Sequence, residues 1–270
     1  MEKIRFGCHS FLNAKPIINY LLQKKEYKDK IDLFLGSPSE ISDKLLAAEL
    51  DIGFIPSIEF LKNDNLYLLP DFSISAYGKV MSVLLISEKE IKDIENILLD
   101  TRSRTSIVLL NIILKKKYGI TPSFITPLEG GEKKRYDARL LIGDEALEFT
   151  YEKKGKEAGK IIDLAEEWHE ITGLPFVFAV IASRKKEVPK QFLKILKESR
   201  DRGIKNIEEI AEGEYKTCNI KKEALIDYLK NRIDYFLTDK EIEGLKAFQE
   251  ISFKKGLIET KYDFTFATAI

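Results

Sequence analysis

A chain of 270 residues with 44% apolar and 10% aromatic content can bury one large core or two smaller ones, which excludes an intrinsically disordered protein. Its 44 basic side chains, lysine and arginine, balance its 44 acidic ones, so the net positive charge of a dedicated nucleic-acid binder is missing. Two cysteines are too few for a disulfide framework, and no segment approaches the roughly 20 apolar residues that span a bilayer. Without the apolar core of a signal peptide near its start, the chain is expected to be soluble and cytoplasmic, with no membrane or nucleic acid as a partner.

Short apolar strands alternate with helical patterns at the beginning of the chain. Strands are predicted at 4–8, at 31–35 and in DIGFIP, and helices at 12–23 and 38–50. Ser37 is placed to cap the second of these helices. This β-α-β-α-β order predicts a parallel sheet with right-handed crossovers.

Two long apolar segments, 79–87 and 176–183, are predicted as strands that stand apart from this alternation. A second α/β block lies between them and contains NILLD, a helix over 104–117, SFITP and ARLLIGD. After Arg184 the chain becomes helical and strongly charged. The order predicts two lobes, the first of residues 1–85 plus 177–270 and the second of residues 86–176, with a ligand cleft between them.

The segment NILLDTRSRTSIVLLNIIL, residues 96–114, places four polar residues between a buried strand and a buried helix: Ser103, Arg104, Thr105 and Ser106. With Ser103 as N-cap, the next three amides point out of the helix, and the hydroxyls add further donors. The positive end of the helix dipole makes this a site for a carboxylate or a phosphate. An ordinary N-cap with surplus serines accounts for the same pattern, so this segment alone does not decide.

Six segments occur in a fixed order along the chain: SFLNAKP, LDIGFIPSIEF, SVLLIS, LDTRSRTS, LLIGDEAL and DLAEEWHEITGLPFVFAV. As an ordered set, from residue 4 to about 184, they resemble the chorismate dehydratase family of the futalosine route to menaquinone. The resemblance implies an α/β, two-lobed, type 2 periplasmic-binding-protein fold with mixed, mainly parallel sheets and a cleft between the lobes. It also implies a cofactor-free lyase that dehydrates chorismate, its small-molecule substrate, to 3-[(1-carboxyvinyl)oxy]benzoate.

The resemblance implies that Asn13 and Ser82 are catalytic. Asn13 is also a good N-cap at the start of the first predicted helix, and its amide can both donate and accept hydrogen bonds. Ser82 lies on an apolar strand, where a hydroxyl must bond the backbone or face the cleft. The implied substrate contacts are Ser57, Ser103, Arg104, Thr105, Ser106, Gly143 and Asp144.

Several of these residues also have ordinary structural explanations. Ser57 and Asp144 are placed to cap the helices that follow their strands, and Gly143 permits a close backbone approach. Arg102 and Arg104 cannot both face one anion, so one of them is expected at the surface or between the lobes. Neither histidine has a partner at metal-ligand spacing, so no metal site is predicted.

Two alternative functions stay open at this point, the related 1,4-dihydroxy-6-naphthoate synthase and a non-catalytic binder of small anions. No side chain stands out as a general base. A hypothesis that fits this is that the enolpyruvyl carboxylate of the substrate takes the proton itself, held in place by Asn13. The sequence predicts no oligomeric state.

Overall fold

The structure is a computed structural model that describes residues 3–127, 135–151 and 159–270. Its strands, in chain order, are β1 (Ile4–Cys8), β2 (Ile31–Leu35), β3 (Ile52–Pro56), β4 (Tyr67–Ala76), β5 (Val83–Ser87), β6 (Asn96–Leu98), β7 (Ser123–Ile125), β8 (Ala138–Ile142), β9 (Lys160–Asp163), β10 (Phe176–Ser183), β11 (Glu187–Val188) and β12 (Thr268–Ala269). Its helices are α1 (Lys15–Gln23), α2 (Lys25–Lys28), α3 (Pro38–Leu46), α4 (Ser57–Lys62), α5 (Arg104–Ile113), α6 (Gly143–Tyr151), α7 (Leu164–Thr172), α8 (Lys190–Lys205), α9 (Ile207–Glu214), α10 (Lys222–Asp227) and α11 (Asp239–Lys254).

The strands form two five-stranded sheets with the same plan. The first has the order β2-β1-β3-β10-β4, and the second has the order β7-β6-β8-β5-β9. In each sheet the first three strands are parallel, and the fourth runs antiparallel to both of its neighbours. The predicted parallel arrangement of the first three strands in the chain is therefore confirmed, and so is the mixed character of the sheets.

The chain passes between the two sheets twice, after β4 through residues 77–82 and after α7 through residues 173–175. The strand predicted over 79–87 begins only at Val83, because Met81 adopts a φ of +67°, outside the extended region. We call residues 3–76 and 176–270 the first lobe, and the described residues from 83 to 172 the second lobe. Because β5 lies wholly in the second sheet, a lobe boundary at residue 85 would cut a strand; the predicted domain limits stay a prediction.

The charged tail is helical, as the sequence predicts, and it completes the first lobe. Helix α8 crosses α1 so closely that a Cβ at Gly203 would overlap the carbonyl oxygen of Pro16. Helix α11 packs on β10, where Trp168, Phe176 and Phe248 stack edge to face at centroid distances of 5.3, 5.9 and 5.0 Å. Trp168 is fully buried and is therefore a packing residue.

Three helices begin where the two lobes face each other. Helix α4 follows β3, α5 follows β6 and α6 follows β8. Ligands of open α/β sheets bind at such strand-to-helix corners, because the helix N-termini point their free amides there. The charged segment TYEKKGKEAGK, residues 150–160, predicts an exposed loop, and most of it lies outside the described residues, which omit 152–158. Within the described ranges no helix has the length and apolar content needed to cross a membrane.

Candidate active site

A cavity lies between the two lobes and the first crossing segment. The polar side chains of its wall are His9, Asn13, Ser82, Ser103 and Ser106. Most of the remaining wall is apolar, and no Asp, Glu, Lys or Arg side chain of the described residues lines it.

The wall contains the N-terminus of α5, as the sequence predicts. Ser103 is its N-cap: the Ser103 Oγ accepts a hydrogen bond from the backbone amide of Ser106 over 3.3 Å. The two hydroxyl oxygens of Ser103 and Ser106 lie 2.8 Å apart, and both residues line the cavity. The helix end thus presents a pair of coupled hydroxyls to whatever occupies the cavity.

The first amides of α5 remain available at the same end. The backbone amides of Arg104 and Thr105 have no intrahelical acceptor, and no other acceptor is found for them in the described part of the chain. Because no lysine or arginine side chain of the described residues lines the cavity, these amides and the helix dipole supply the positive potential that an anionic ligand requires.

The side chain of Arg104 does not line this cavity. Its guanidinium binds Asp43 of α3 through two hydrogen bonds of 2.8 and 2.9 Å, and it lies 3.5 Å from Glu59 of α4. Two carboxylates of the first lobe therefore hold this arginine of the second lobe. Arg102 is held by Asp100 on its own lobe. The guanidinium is therefore held away from the cavity. The group of Arg104 that can still contact the substrate is its backbone amide.

Thr105 and Ser57 are fully buried beside the cavity, and neither lines it. The Thr105 Oγ1 accepts a hydrogen bond of 3.2 Å from the backbone amide of Ile58 and so connects α5 to α4. The Ser57 hydroxyl donates to the carbonyl of Val177 over 2.7 Å. The prediction that Ser57 caps α4 is wrong, because its hydroxyl bonds the neighbouring strand instead.

Gly143 and Asp144, at the corner between β8 and α6, have different contacts. Gly143 lines the cavity with a φ of +62°, and its amide donates to the carbonyl of Ser82 over 2.7 Å. Asp144 turns to the other lobe, where its Oδ1 accepts from the amide of Leu12 over 3.1 Å. It therefore caps the turn before α1 and not its own helix, which corrects the sequence prediction. Burial raises the pKa of this carboxyl.

Asn13 lies in that 3₁₀ turn, Leu12–Ala14, and lines the cavity. The prediction that it caps the first helix is wrong: α1 begins at Lys15, with Ala14 as N-cap and no side-chain cap. The Oδ1 of Asn13 is buried and has no hydrogen-bond partner within the described residues. Because Asn13 lines the cavity, this oxygen can accept a hydrogen bond from water or from a ligand there.

Ser82 lies at the end of the first crossing segment, with 2% of its surface exposed. Its Oγ accepts a hydrogen bond of 2.9 Å from the hydroxyl of Tyr228, which belongs to the C-terminal tail. Burial raises the pKa of Tyr228 and keeps it protonated. Sequence reasoning missed Tyr228, because the tail carries no motif and the contact joins residues 146 positions apart.

His9, which the sequence does not predict as a site residue, lies in the cavity wall. Its ring lies 5.3 Å from that of Phe11 and 5.6 Å from that of Phe54. Its Nδ1 has no hydrogen-bond partner among the described residues, and burial lowers its pKa to about 4. The imidazole is therefore neutral at pH 7. Its position directly before SFLNAKP was the one signal in the sequence.

The cavity wall is not a metal centre in the part of the chain that the structure describes. No group of three or more His, Cys, Asp or Glu side chains there is close enough to hold an ion. The site thus consists of hydroxyls, one amide, one neutral imidazole and a helix end. Such groups can bind an anion, position it and form hydrogen bonds to charge that develops during a reaction.

Comparison with known proteins decides the family. The sequence profile of the menaquinone biosynthesis family matches residues 4–254. The chain belongs to this family. It is 35% identical over 266 residues to a chorismate dehydratase of Thermus thermophilus, covering 93% of this chain and 95% of that one. It is 30% identical over 247 residues to a chorismate dehydratase of Campylobacter jejuni, covering 90% and 95%.

Solved structures confirm the fold of this family member. A protein from Archaeoglobus fulgidus superposes with a TM-score of 0.74 at 19% identity, over 95% of this chain and 98% of that one. The periplasmic aliphatic sulphonate binding protein of Escherichia coli superposes with a TM-score of 0.64 at 15% identity, over 100% and 94%. The two-lobed periplasmic-binding-protein fold that the sequence motifs predict is thus confirmed.

Proposed function

We propose that this protein is a lyase that dehydrates chorismate to 3-[(1-carboxyvinyl)oxy]benzoate in menaquinone biosynthesis. The observation that carries the proposal is the meeting of Asn13, Ser82, Ser103 and Ser106 in one cavity at the positive end of α5. Relatives that cover nearly all of the chain are chorismate dehydratases, and their name supports the same reaction. The cavity offers a dianion a helix end and uncharged hydrogen-bonding groups.

The reaction removes the hydroxyl from C4 of the ring and the hydrogen from C3. The electron pair of the C3–H bond becomes the C3–C4 double bond, the C4–O bond breaks, and the ring becomes aromatic. The proton and the departing hydroxide leave together as water. Aromatisation makes the product strongly favoured, so the protein has only to lower the barrier set by a weakly acidic proton and a poor leaving group.

Each part of the site has a role in this proposal. The amides and hydroxyls at the start of α5 hold a carboxylate of the substrate, and Ser82 forms a hydrogen bond to the leaving hydroxyl. The enolpyruvyl carboxylate takes the C3 proton while Asn13 holds that group in place. Phe11 and Phe178 pack against the substrate and exclude water, which strengthens these hydrogen bonds.

His9 is the side chain in the wall that could compete as the proton acceptor. Burial lowers the pKa of His9 to about 4, so the imidazole is unprotonated at pH 7 and is about as weak a base as a carboxylate. Base strength therefore does not separate the two. We assign the proton to the enolpyruvyl carboxylate because the ether oxygen of that group is bonded to C3, which keeps the carboxylate close to the C3 proton, and we assign His9 to the wall.

We also propose that the protein works in the cytoplasm as a small-molecule enzyme. The thiols of Cys8 and Cys218 are both free, and burial raises the pKa of each. Unpaired, protonated thiols suit a reducing compartment, where they stay reduced.

The fold is similar to that of a sulphonate binding protein, so a second candidate function is a module that binds a small anion without converting it. Incubation of the purified protein with chorismate, followed by chromatography and mass spectrometry, separates the two. A dehydratase converts chorismate to a product lighter by one water molecule. Chorismate that binds in calorimetry and is recovered unchanged would favour the binding module. A catalysed reaction of another kind would refute both.

A further inference from the structure

Tyr228 lies behind the two residues to which we assign the chemistry. Its side chain is fully buried in the first lobe, and its hydroxyl donates to Ser82 Oγ over 2.9 Å. It does not itself line the cavity. Any effect of this phenol on a substrate must therefore pass through the groups that it contacts.

Ser82 is the cavity residue to which the phenol forms a hydrogen bond in the described chain. An effect of Tyr228 on the substrate therefore passes through the hydroxyl of Ser82.

The backbone of Ser82 is held firmly on both sides. Met81, with its φ of +67°, receives a hydrogen bond at its carbonyl from Thr150 over 3.2 Å and donates from its amide to Asp163 over 2.6 Å. The carbonyl of Ser82 accepts from Gly143 over 2.7 Å. The hydroxyl hydrogen of Ser82 can still rotate about the Cβ–Oγ bond. Tyr228 limits this rotation because its phenolic hydrogen already bonds one lone pair of the Ser82 Oγ.

We propose that Tyr228 is a positioning residue that fixes the hydrogen-bond polarity of Ser82, so that Ser82 donates to the substrate. With the phenol donating to Oγ over 2.9 Å, the hydrogen of Ser82 is directed to the cavity. One buried hydroxyl thus sets the direction of one donor.

This inference rests on the proposed dehydration and gives Ser82 a definite task in it. The hydrogen of Ser82 bonds the hydroxyl that leaves C4 and stabilises the negative charge that develops on the departing oxygen. The proton that the enolpyruvyl carboxylate takes from C3 passes to this hydroxide, water leaves, and the carboxylate is restored.

The test compares Tyr228→Phe with Tyr235→Phe. Tyr235 is also a buried tyrosine of the tail, but its hydroxyl donates to the backbone carbonyl of Leu229 over 3.0 Å. We expect Tyr228→Phe to lower kcat for chorismate by about 10- to 100-fold while KM changes less than about threefold, because groups that act in the transition state are misdirected. We expect Tyr235→Phe to keep the kcat of the wild type, and thermal melting to show that both variants fold.

A second readout separates positioning from stability. If Tyr228 acts partly through Ser82, the kcat loss of Tyr228→Phe/Ser82→Ala will be smaller than the product of the two single losses. Losses that multiply, or a kcat of Tyr228→Phe within about twofold of the wild type, would overturn the inference. Wild-type protein that does not consume chorismate would refute the proposed function and this inference with it. An active wild type with an equally active Tyr228→Phe would refute this inference alone.

Discussion

A neutral imidazole lies in the wall of the cavity because His9 is buried between Phe11 and Phe54. Water no longer stabilises its charged form, and no acidic side chain of the described residues lines the cavity beside it. The same cavity contains the buried Oδ1 of Asn13. The imidazole of His9 and the Oδ1 of Asn13 are thus both poorly solvated. Such groups lower the stability of the fold, and they can form hydrogen bonds to a ligand.

His9 predicts a specific dependence of stability on pH. Its folded pKa of about 4 lies below the ordinary value of 6.5, so the unfolded chain binds the proton first as the pH falls. The free energy of unfolding should therefore fall between pH 6.5 and pH 4, by about 3 kcal/mol for a shift of this size. Urea unfolding of the wild type and His9→Phe at pH 7 and pH 4.5 measures this contribution, because His169 and the carboxyls are common to both. Equal pH dependence in the two proteins would contradict it.

Asn13→Ala separates a catalytic role from a structural one. Because Asn13 caps no helix and its Oδ1 has no partner in the described chain, we expect the melting temperature to change little. Loss of a hydrogen bond made in the transition state should lower kcat by about 100- to 1,000-fold. Turnover close to that of the wild type would remove Asn13 from the catalytic groups.

Helix α5 is the element that makes the cavity an anion site. Most of its apolar residues are buried, and its Ser103 cap leaves the first amides and the hydroxyl of Ser106 at the cavity. Thr105, one position earlier, faces the first lobe. Neighbouring hydroxyls on one helix turn thus have different tasks, because successive residues of a helix point about 100° apart.

Ser106→Ala and Thr105→Val form a matched pair that tests this division. Loss of the Ser106 hydroxyl should weaken chorismate binding by about 1–3 kcal/mol, as for hydrogen bonds to a charged acceptor. Loss of the Thr105 hydroxyl should lower stability by about 1–2 kcal/mol, because the amide of Ile58 is left buried without its acceptor, and should change binding less. Calorimetry in the Asn13→Ala background measures binding without turnover. A reversed pattern would place the anion on Thr105.

The whole molecule is held closed by contacts that cross the cleft. Arg104 binds Asp43, Thr105 binds the amide of Ile58, and Asp144 binds the amide of Leu12. None of these side chains lines the cavity, but each forms a hydrogen bond that holds the second lobe against the first. Closure of such lobes excludes water from the substrate and completes the site.

Arg104→Gln and Asp43→Asn test whether this pair acts on closure or on the substrate. The two side chains are 35% and 60% exposed, so breaking the pair should cost less than about 1 kcal/mol of stability. If the pair acts on closure, both variants should raise KM for chorismate by a similar factor and increase the radius of gyration in small-angle scattering. A rise in KM confined to Arg104→Gln would show that the guanidinium contacts the substrate.

The features of the fold that depend on neighbouring residues could be predicted from local patterns in the sequence. The alternation of apolar runs predicted the strands, and the Ser103 cap predicted the start of α5, because both signals lie within a few residues. The directions of Arg104 and Asp144 could not be predicted, since their partners come from the other lobe. The role of Tyr228 could not be predicted for the same reason, since it depends on a contact with Ser82 that forms only in the folded chain. The family was predicted from the ordered motifs and is confirmed.

The central claim is that this cavity converts chorismate by aromatising its ring. Proton NMR of chorismate incubated with the purified protein tests it most directly, because the ring signals at C3 and C4 are replaced by aromatic ones as water is lost. We predict that these aromatic signals grow while the two vinyl protons of the enolpyruvyl group remain, and that Ser82→Ala slows the change. Chorismate that stays intact with the wild type, or a product that has lost the enolpyruvyl group, would contradict the account.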